Sequence, residues 1–185
     1  MPTYPDLTAR VPKPHPDSVN SGLSVLREST MLDFFGVPAN QASTQCIPPN
    51  NPKLKTALTT AGVGPFRVTG HRVAVALLKK VFADVLASDP ALHAALGSAG
   101  MLCARLQRGS TKNWSNHSWG FAIDLTIGGV LDRRGDDTVQ VGLMRLYPYF
   151  HRHGWFWGVE FRTEDGMHFE LAEETVRRLR TEGKL

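Results

Sequence analysis

The stretch SNHSWGFAID, residues 115–124, places an imidazole at His117 and a carboxylate at Asp124, with Gly120 between them. Both groups are good zinc ligands, at roughly 2.0–2.2 Å from the ion. Side chains of a regular strand alternate faces, so two residues an odd number of positions apart point in opposite directions. For His117 and Asp124 to reach one ion, the chain must turn or bulge between them. Gly120 supplies that freedom, since glycine alone tolerates positive φ and close backbone approach. Ala122 keeps the same neighbourhood uncrowded. Taken alone, a His–x6–Asp pair is more often decoration of a surface or core than a ligand set.

A second stretch, EDGMHFE at residues 164–170, changes that balance. His168 opens an apparent strand, and Gly166 permits a tight turn that folds Asp165 back beside the imidazole. A carboxylate at a metal site that activates water is what a hydrolase needs as its general base. His117, Asp124 and His168 would fill three positions of one zinc ion and leave the fourth for water, which is the catalytic arrangement. Upstream, Arg105 and Arg108 offer guanidinium groups that can bind a peptide carboxylate or steady an oxyanion. Solvated strand residues are the plainer reading of either arginine. Ser115, Trp119 and Trp157 are the candidate substrate-binding residues, although core and cleft wall is the simpler role for the tryptophans. His151 and His153, in His-Arg-His-Gly, form a rival metal pair, but they sit near a predicted helix end with no matching carboxylate.

Working outward, the apolar positions Ala74, Leu77, Leu78, Val81, Phe82 and Val85 recur at helical spacing, which predicts an amphipathic helix from about residue 71. A short helix follows, with Asp89 as cap, Pro90 in its first turn and Gly97 as terminator. Strands are expected at 101–106, 121–127, 155–161 and 168–171. Residues 128–137 read as a polar hairpin-like stretch, and 139–153 as a helix that Pro148 kinks or interrupts. Glu173 and Glu174 lead a last helix that ends in Arg177, Arg178 and Arg180, the charge order its dipole favours. Earlier, a short helix is expected at 29–35, and the sequence from 36 to 65 reads as loop with at most short elements, such as 53–61. Helices come first and strands mostly later. The fold class is therefore a single α+β domain with a small central, mainly antiparallel sheet flanked by helices.

The chain of 185 residues is long enough for one domain with a proper core. At 42% hydrophobic and 21% charged residues, wholesale disorder is excluded. The net charge of +4 suits a polyanionic partner without choosing one. Basic residues are scattered rather than blocked, so no nucleic-acid footprint is expected. No apolar run approaches the ~20 residues of a membrane span. Residues 1–20 carry Pro2, Pro5, Pro12, Pro14 and Pro16 and read as an extended arm, wrapped on the domain or disordered. They contain no apolar segment of a secretory signal, so synthesis in the cytoplasm and delivery by another factor are expected. Cys46 and Cys103 read first as two buried thiols, a single disulfide being the alternative.

Residues 115–124 resemble the SxHxxGxAxD signature of the D-alanyl-D-alanine carboxypeptidase family of zinc peptidases, which includes vancomycin-resistance D,D-peptidases and phage endolysins that cut the L-alanyl–D-glutamate bond. The GWFWG of residues 154–158 and the DGMHFE of residues 165–170 resemble the endolysin-like branch, where GWxWGG precedes DxMHFE. The likeness spans about residues 105–171 and departs at Val159, where a second glycine is usual, and at Phe161, where a second tryptophan is usual. The resemblance implies the fold shared with hedgehog domains and lysostaphin-type peptidases. It implies zinc on His117, Asp124 and His168, Asp165 as base, and Arg105 or Arg108 as the arginine that polarises the scissile carbonyl. It further implies a monomeric zinc peptidase domain over residues 21–185, with its motif-bearing core at 101–171, acting on peptidoglycan stem peptides by carboxypeptidase or endopeptidase cleavage. The rival readings are a non-catalytic metal-binding or structural protein of the same fold, and an antibacterial effector with the same chemistry.

Overall fold

The computed structural model describes residues 5–185. Its elements in chain order are α1 (Pro5–Thr8), β1 (Arg10–Pro12), α2 (Glu28–Phe35), α3 (Pro52–Ala57), β2 (Leu58–Gly62), β3 (Arg67–His71), α4 (Arg72–Ser88), α5 (Pro90–Ala95), β4 (Leu96–Gly100), β5 (Ala122–Ile127), β6 (Val130–Leu131), β7 (Thr138–Gln140), α6 (Val141–Arg152), β8 (Trp155–Trp157), β9 (His168–Leu171) and α7 (Glu173–Thr181). The central sheet has the order β4-β5-β9-β8, with β6 folded back on β5, and every pairing is antiparallel. The α+β expectation holds.

Strand alternation sorts the sheet into two faces. On one, Ile123, Leu125 and Ile127 of β5 and Phe169 and Leu171 of β9 are all fully buried. They form the core with α4 and α6. Phe169 stacks on Trp157 of the neighbouring strand at 5.8 Å between ring centroids and meets Phe150 of α6 at 4.2 Å. The start of α6 lies so close to the sheet that a Cβ on Gly142 would come within 2.9 Å of Ile127. The other face carries Ala122, Asp124, His168 and Glu170. This face builds the site.

α4 buries Ala74, Val75, Leu78, Val81, Phe82 and Val85, so the predicted stripe gains Val75, while Leu77 at its edge is only partly buried. Its first turn is capped by His71, whose Nδ1 accepts from the Val73 amide at 3.4 Å. Asp89 then ends α4 and caps α5, accepting from the Leu92 amide at 3.1 Å. α6 runs through Pro148 instead of breaking there. That residue lies on the exposed side, while Leu143, Leu146 and Phe150 bury the opposite side. The carbonyl left without a partner by proline can then face water, which lowers its cost.

Several boundaries move. Gly97 does not terminate a helix but lies inside β4, where Thr126 packs over its open face. Residues 101–106 are extended but join no strand ladder; they make isolated bridges, Ile47 with Ala104 and Leu106 with Trp114. The expected strand over 155–161 stops at Trp157 and continues as a turn of 3-10 helix, Gly158–Glu160. The short element expected at 53–61 is divided between α3 and β2, the latter hairpin-paired with β3. Alternation there is too weak to signal a strand.

The first four residues of the expected arm lie outside the described region. Beyond them, β1 pairs with β7, and Arg10 bonds Asp132 and Asp136 at 2.7 Å each. Asn20 reaches the sheet edge, donating to the Trp157 carbonyl at 3.0 Å and accepting from its amide at 2.8 Å. Cys46 and Cys103 form a disulfide with a Cα–Cα distance of 5.2 Å, so the alternative to two free thiols is the one realised. The Ile47–Ala104 bridge beside it brings the two backbones close enough for the bond.

Candidate metal centre

His117 lies on a turn of 3-10 helix, Asn116–Trp119, and Gly120 ends that turn in the left-handed region at φ 73°. A Cβ at Gly120 would lie 2.6 Å from the His71 amide nitrogen and 2.8 Å from the Gly70 Cα. The position therefore needs glycine twice, for its conformation and for the approach of β3. Beyond this corner the chain enters β5, where Asp124 stands directly opposite His168 of β9. Cross-strand partners share a face with their Cβ atoms about 5 Å apart. Two residues distant in sequence thus become neighbours, and the corner returns His117 to meet them. Two positions along, Ala122 stands opposite Glu170. A larger residue at 122 would crowd that carboxylate.

Three atoms converge. His117 Nε2 lies 3.2 Å from both Asp124 Oδ1 and His168 Nδ1, and His168 Nδ1 lies 3.1 Å from Asp124 Oδ1. Ligands at ordinary zinc distances on a tetrahedral ion are separated by about 3.3 Å, close to these spacings. The outer nitrogens decide the chemistry. His117 Nδ1 is 3.0 Å from the Met101 carbonyl oxygen, which can only accept, so this nitrogen carries the proton. His168 Nε2 is 3.0 Å from Glu170 Oε2 and donates to it. With neutral rings, both inner nitrogens then present lone pairs to each other and to a carboxylate oxygen. Three acceptors facing one point require a cation or extra protons between them. The donor set fits a divalent metal.

The electrostatics agree. Burial favours neutral forms of both acid and base, but His117 and His168 hold Asp124 well below the usual carboxylate range. Burial likewise opposes charge on His168, yet its hydrogen bonds to the Asp124 and Glu170 carboxylates push its imidazole up to about 10. The cluster draws in positive charge, whether as protons or as a metal ion. Glu170 is itself fixed: besides His168, it accepts from the Leu26 amide at 3.0 Å and from Asn116 Nδ2 at 2.9 Å.

The cluster opens on a cleft of about 470 Å³ that also reaches Arg105, Arg108, Arg134, Arg162, Ser115 and Asp165. Asp165 sits in the turn before β9, held by its amide on the Gly158 carbonyl at 2.9 Å and by its carbonyl on the His168 amide at 3.1 Å. Arg134 Nε lies 3.2 Å from its Oδ2, and its buried Oδ1 has no hydrogen-bond partner among the described residues. Burial raises its proton affinity and the charge of Asp124 adds to this, against His168, Arg134 and Arg108. An acid placed so is a better base than a free carboxylate.

Of the other candidates, Arg105 lines the cleft while one guanidinium nitrogen bonds the Leu106 carbonyl at 3.2 Å. Arg108 lines it from an exposed turn. Ser115 is at its wall. The tryptophans do not serve as substrate-binding residues. Trp119 and Trp157 are both fully buried, with their indole N–H groups on the Gly36 and Gly166 carbonyls at 2.9 and 2.7 Å. Their rings support the turns that carry His117 and Asp165, since a large apolar ring gains most by leaving water completely. His151 and His153 have separate partners, the Ser21 carbonyl and Asp84, and make no common site. Glu170, Asn116 and Arg134 had been given no role. His168 and Glu170, two apart on a strand, share a face by alternation alone, which was the available signal for Glu170. Arg134, on the 132–137 loop, had no such signal.

Fold and cluster together define an α+β domain with a two-histidine, one-aspartate cluster that could hold a metal ion at the foot of an open cleft. Residues 108–171 match the model of the D-alanyl-D-alanine carboxypeptidase family, which bears out the resemblance over the segment that holds the cluster, Asp165 and Glu170. Arg105 lies outside that match. No curated protein matches the chain.

Proposed function

We propose that this protein is a zinc-dependent peptidase of peptidoglycan stem peptides, with His117, Asp124 and His168 as metal ligands and Asp165 as general base. The observation that carries the reading is the convergence of three acceptor atoms at 3.1–3.2 Å beside a carboxylate that opens to the same cleft. What bound Zn2+ supplies there is Lewis acidity, which polarises a carbonyl and lets water lose a proton near neutral pH.

The remaining work falls to the chain. Glu170 and the Met101 carbonyl keep both imidazoles turned with their lone pairs inward. Asp165 removes a proton from the attacking water and returns it to the departing amine nitrogen, while Arg134 limits where its carboxylate can lie. Arg105 or Arg108 donates to the carbonyl oxygen as it gains charge.

Asp165→Asn keeps the shape of the side chain and removes the base. Turnover of purified peptidoglycan, followed by mass spectrometry of released muropeptides, should fall about 10²–10⁴-fold. Zinc content measured on the same sample should stay at one ion per chain. Full activity in that variant would remove Asp165 from the mechanism, and wild-type turnover that survives complete chelation would remove the metal.

A further inference from the structure

The cleft carries more positive charge than its chemistry uses. Four arginines line it, Arg105, Arg108, Arg134 and Arg162, against three carboxylates, Asp124, Asp165 and Glu170. Those carboxylates are taken: Asp124 by both histidines, Glu170 by His168, and Asp165 by Arg134. Arg105 has only the Leu106 carbonyl. Arg108 and Arg162 have no ion pair or hydrogen bond within the described residues, though Arg108 is near enough to Asp165 to favour its ionised form. Arg134 touches Asp165 through Nε, and its two Nη groups make no hydrogen bond among the described residues. A divalent ion at the centre would add two further charges. Like charges drawn into one cleft from three separate segments, 105–108, 134 and 162, repel one another and are tolerated where an anionic ligand completes them. Guanidinium groups pair with carboxylates in a planar, two-point geometry, so the fitting ligand is a peptide with several carboxylates rather than a neutral chain.

We infer that Arg134 and Arg162 form a receptor for carboxylates of the substrate, and that the preferred substrate is an acidic peptide with at least two free carboxyl groups near the scissile bond. This deepens the peptidase reading and rests on it. A peptide cut only at its C-terminal residue offers one carboxylate beside that bond. The receptor therefore favours an internal bond of an unamidated stem. Arg134 bridges the two functions, since its Nε holds Asp165 while its Nη groups are left to the substrate.

The test uses two synthetic stem peptides, one with its internal carboxyls free and one with the same carboxyls as primary amides. The zinc-loaded wild type should cleave the acidic peptide with a kcat/KM about tenfold or more above the amide, the size of one charge-assisted hydrogen bond. Arg162→Gln should narrow that ratio, chiefly by slowing the acidic peptide. Calorimetric titration of both peptides into the zinc-loaded Asp165→Asn protein gives a readout free of turnover: the acidic one should bind more tightly, with an advantage that shrinks as salt rises. Equal cleavage and equal binding of the two peptides by wild type and Asp165→Asn would overturn the receptor, as would an Arg162→Gln variant that slows both peptides alike. If neither peptide is cut, the peptidase reading fails, and the titration alone then decides whether the arginines recognise carboxylates.

Discussion

Glu170 commits His168 to a single role. By accepting from Nε2 it turns Nδ1 of the neutral ring, as a lone pair, toward Asp124, and its other contacts, from the Leu26 amide and Asn116, prevent it from turning away. Met101 does the same for His117 through a backbone carbonyl, which cannot be mutated away. Glu170→Gln should therefore weaken zinc binding about 10–100-fold, by competition against a chromophoric chelator, while the fold survives. An unchanged affinity would show that the strand alone holds the ring. His117, Asp124 and His168 were legible in the sequence because ligand chemistry is local. The burial of Trp119 and Trp157 was not, since the same ring lines a cleft or fills a core depending on what packs over it.

At the scale of elements, the β5–β9 register brings Asp124 opposite His168, and the β3–α4 junction braces the corner that returns His117. His71 caps α4, and its ring packs at 4.6 Å from Phe121 and 5.3 Å from Phe35. Burial, and then the neighbouring Arg72, lower its pKa from 6.5 to about 4. The folded chain thus binds fewer protons here than the unfolded one. The resulting stability is fully present above pH 6.5, declines as pH falls toward 4, and is lost below it. A shift of that size corresponds to about 3 kcal/mol. Urea midpoints measured from pH 7 to 4 should fall more steeply for wild type than for His71→Asn, which keeps an acceptor but cannot titrate. Parallel slopes would place the acid sensitivity elsewhere. The hairpin of β2 and β3 that brings this junction to Gly120 was hidden in the sequence. Its residues show no clear alternation, and the pairing is secured by the helix that follows.

Over the whole molecule, the Cys46–Cys103 disulfide closes a loop of 57 residues' separation and ties the loop around Ile47 to the segment between Met101 and Arg105. Chain entropy for a loop of that length gives about 4 kcal/mol of stabilisation. Cys46→Ser should lower the thermal midpoint and the wild type should follow it in reductant, with no further effect of reductant on the variant. A midpoint unmoved by either treatment would deny the bond a role in stability. Because the Cys103 amide bonds the His117 carbonyl at 3.0 Å, the cross-link also lies one residue from the metal corner.

The sequence by itself determined the candidate ligands, the turn glycine between His117 and Asp124, the carboxylate proposed as base, and the α+β character, because each rests on residue chemistry or on periodicity along a few turns. Only the tertiary structure decided the rest. It paired Asp124 with His168 and closed the disulfide. It assigned Glu170 and the Met101 carbonyl to the outer nitrogens, and gathered four arginines from separate segments into one cleft. These depend on strand register and on which loops cross the same face. Such distances are fixed by the packing of the whole core, and no local window of sequence contains them.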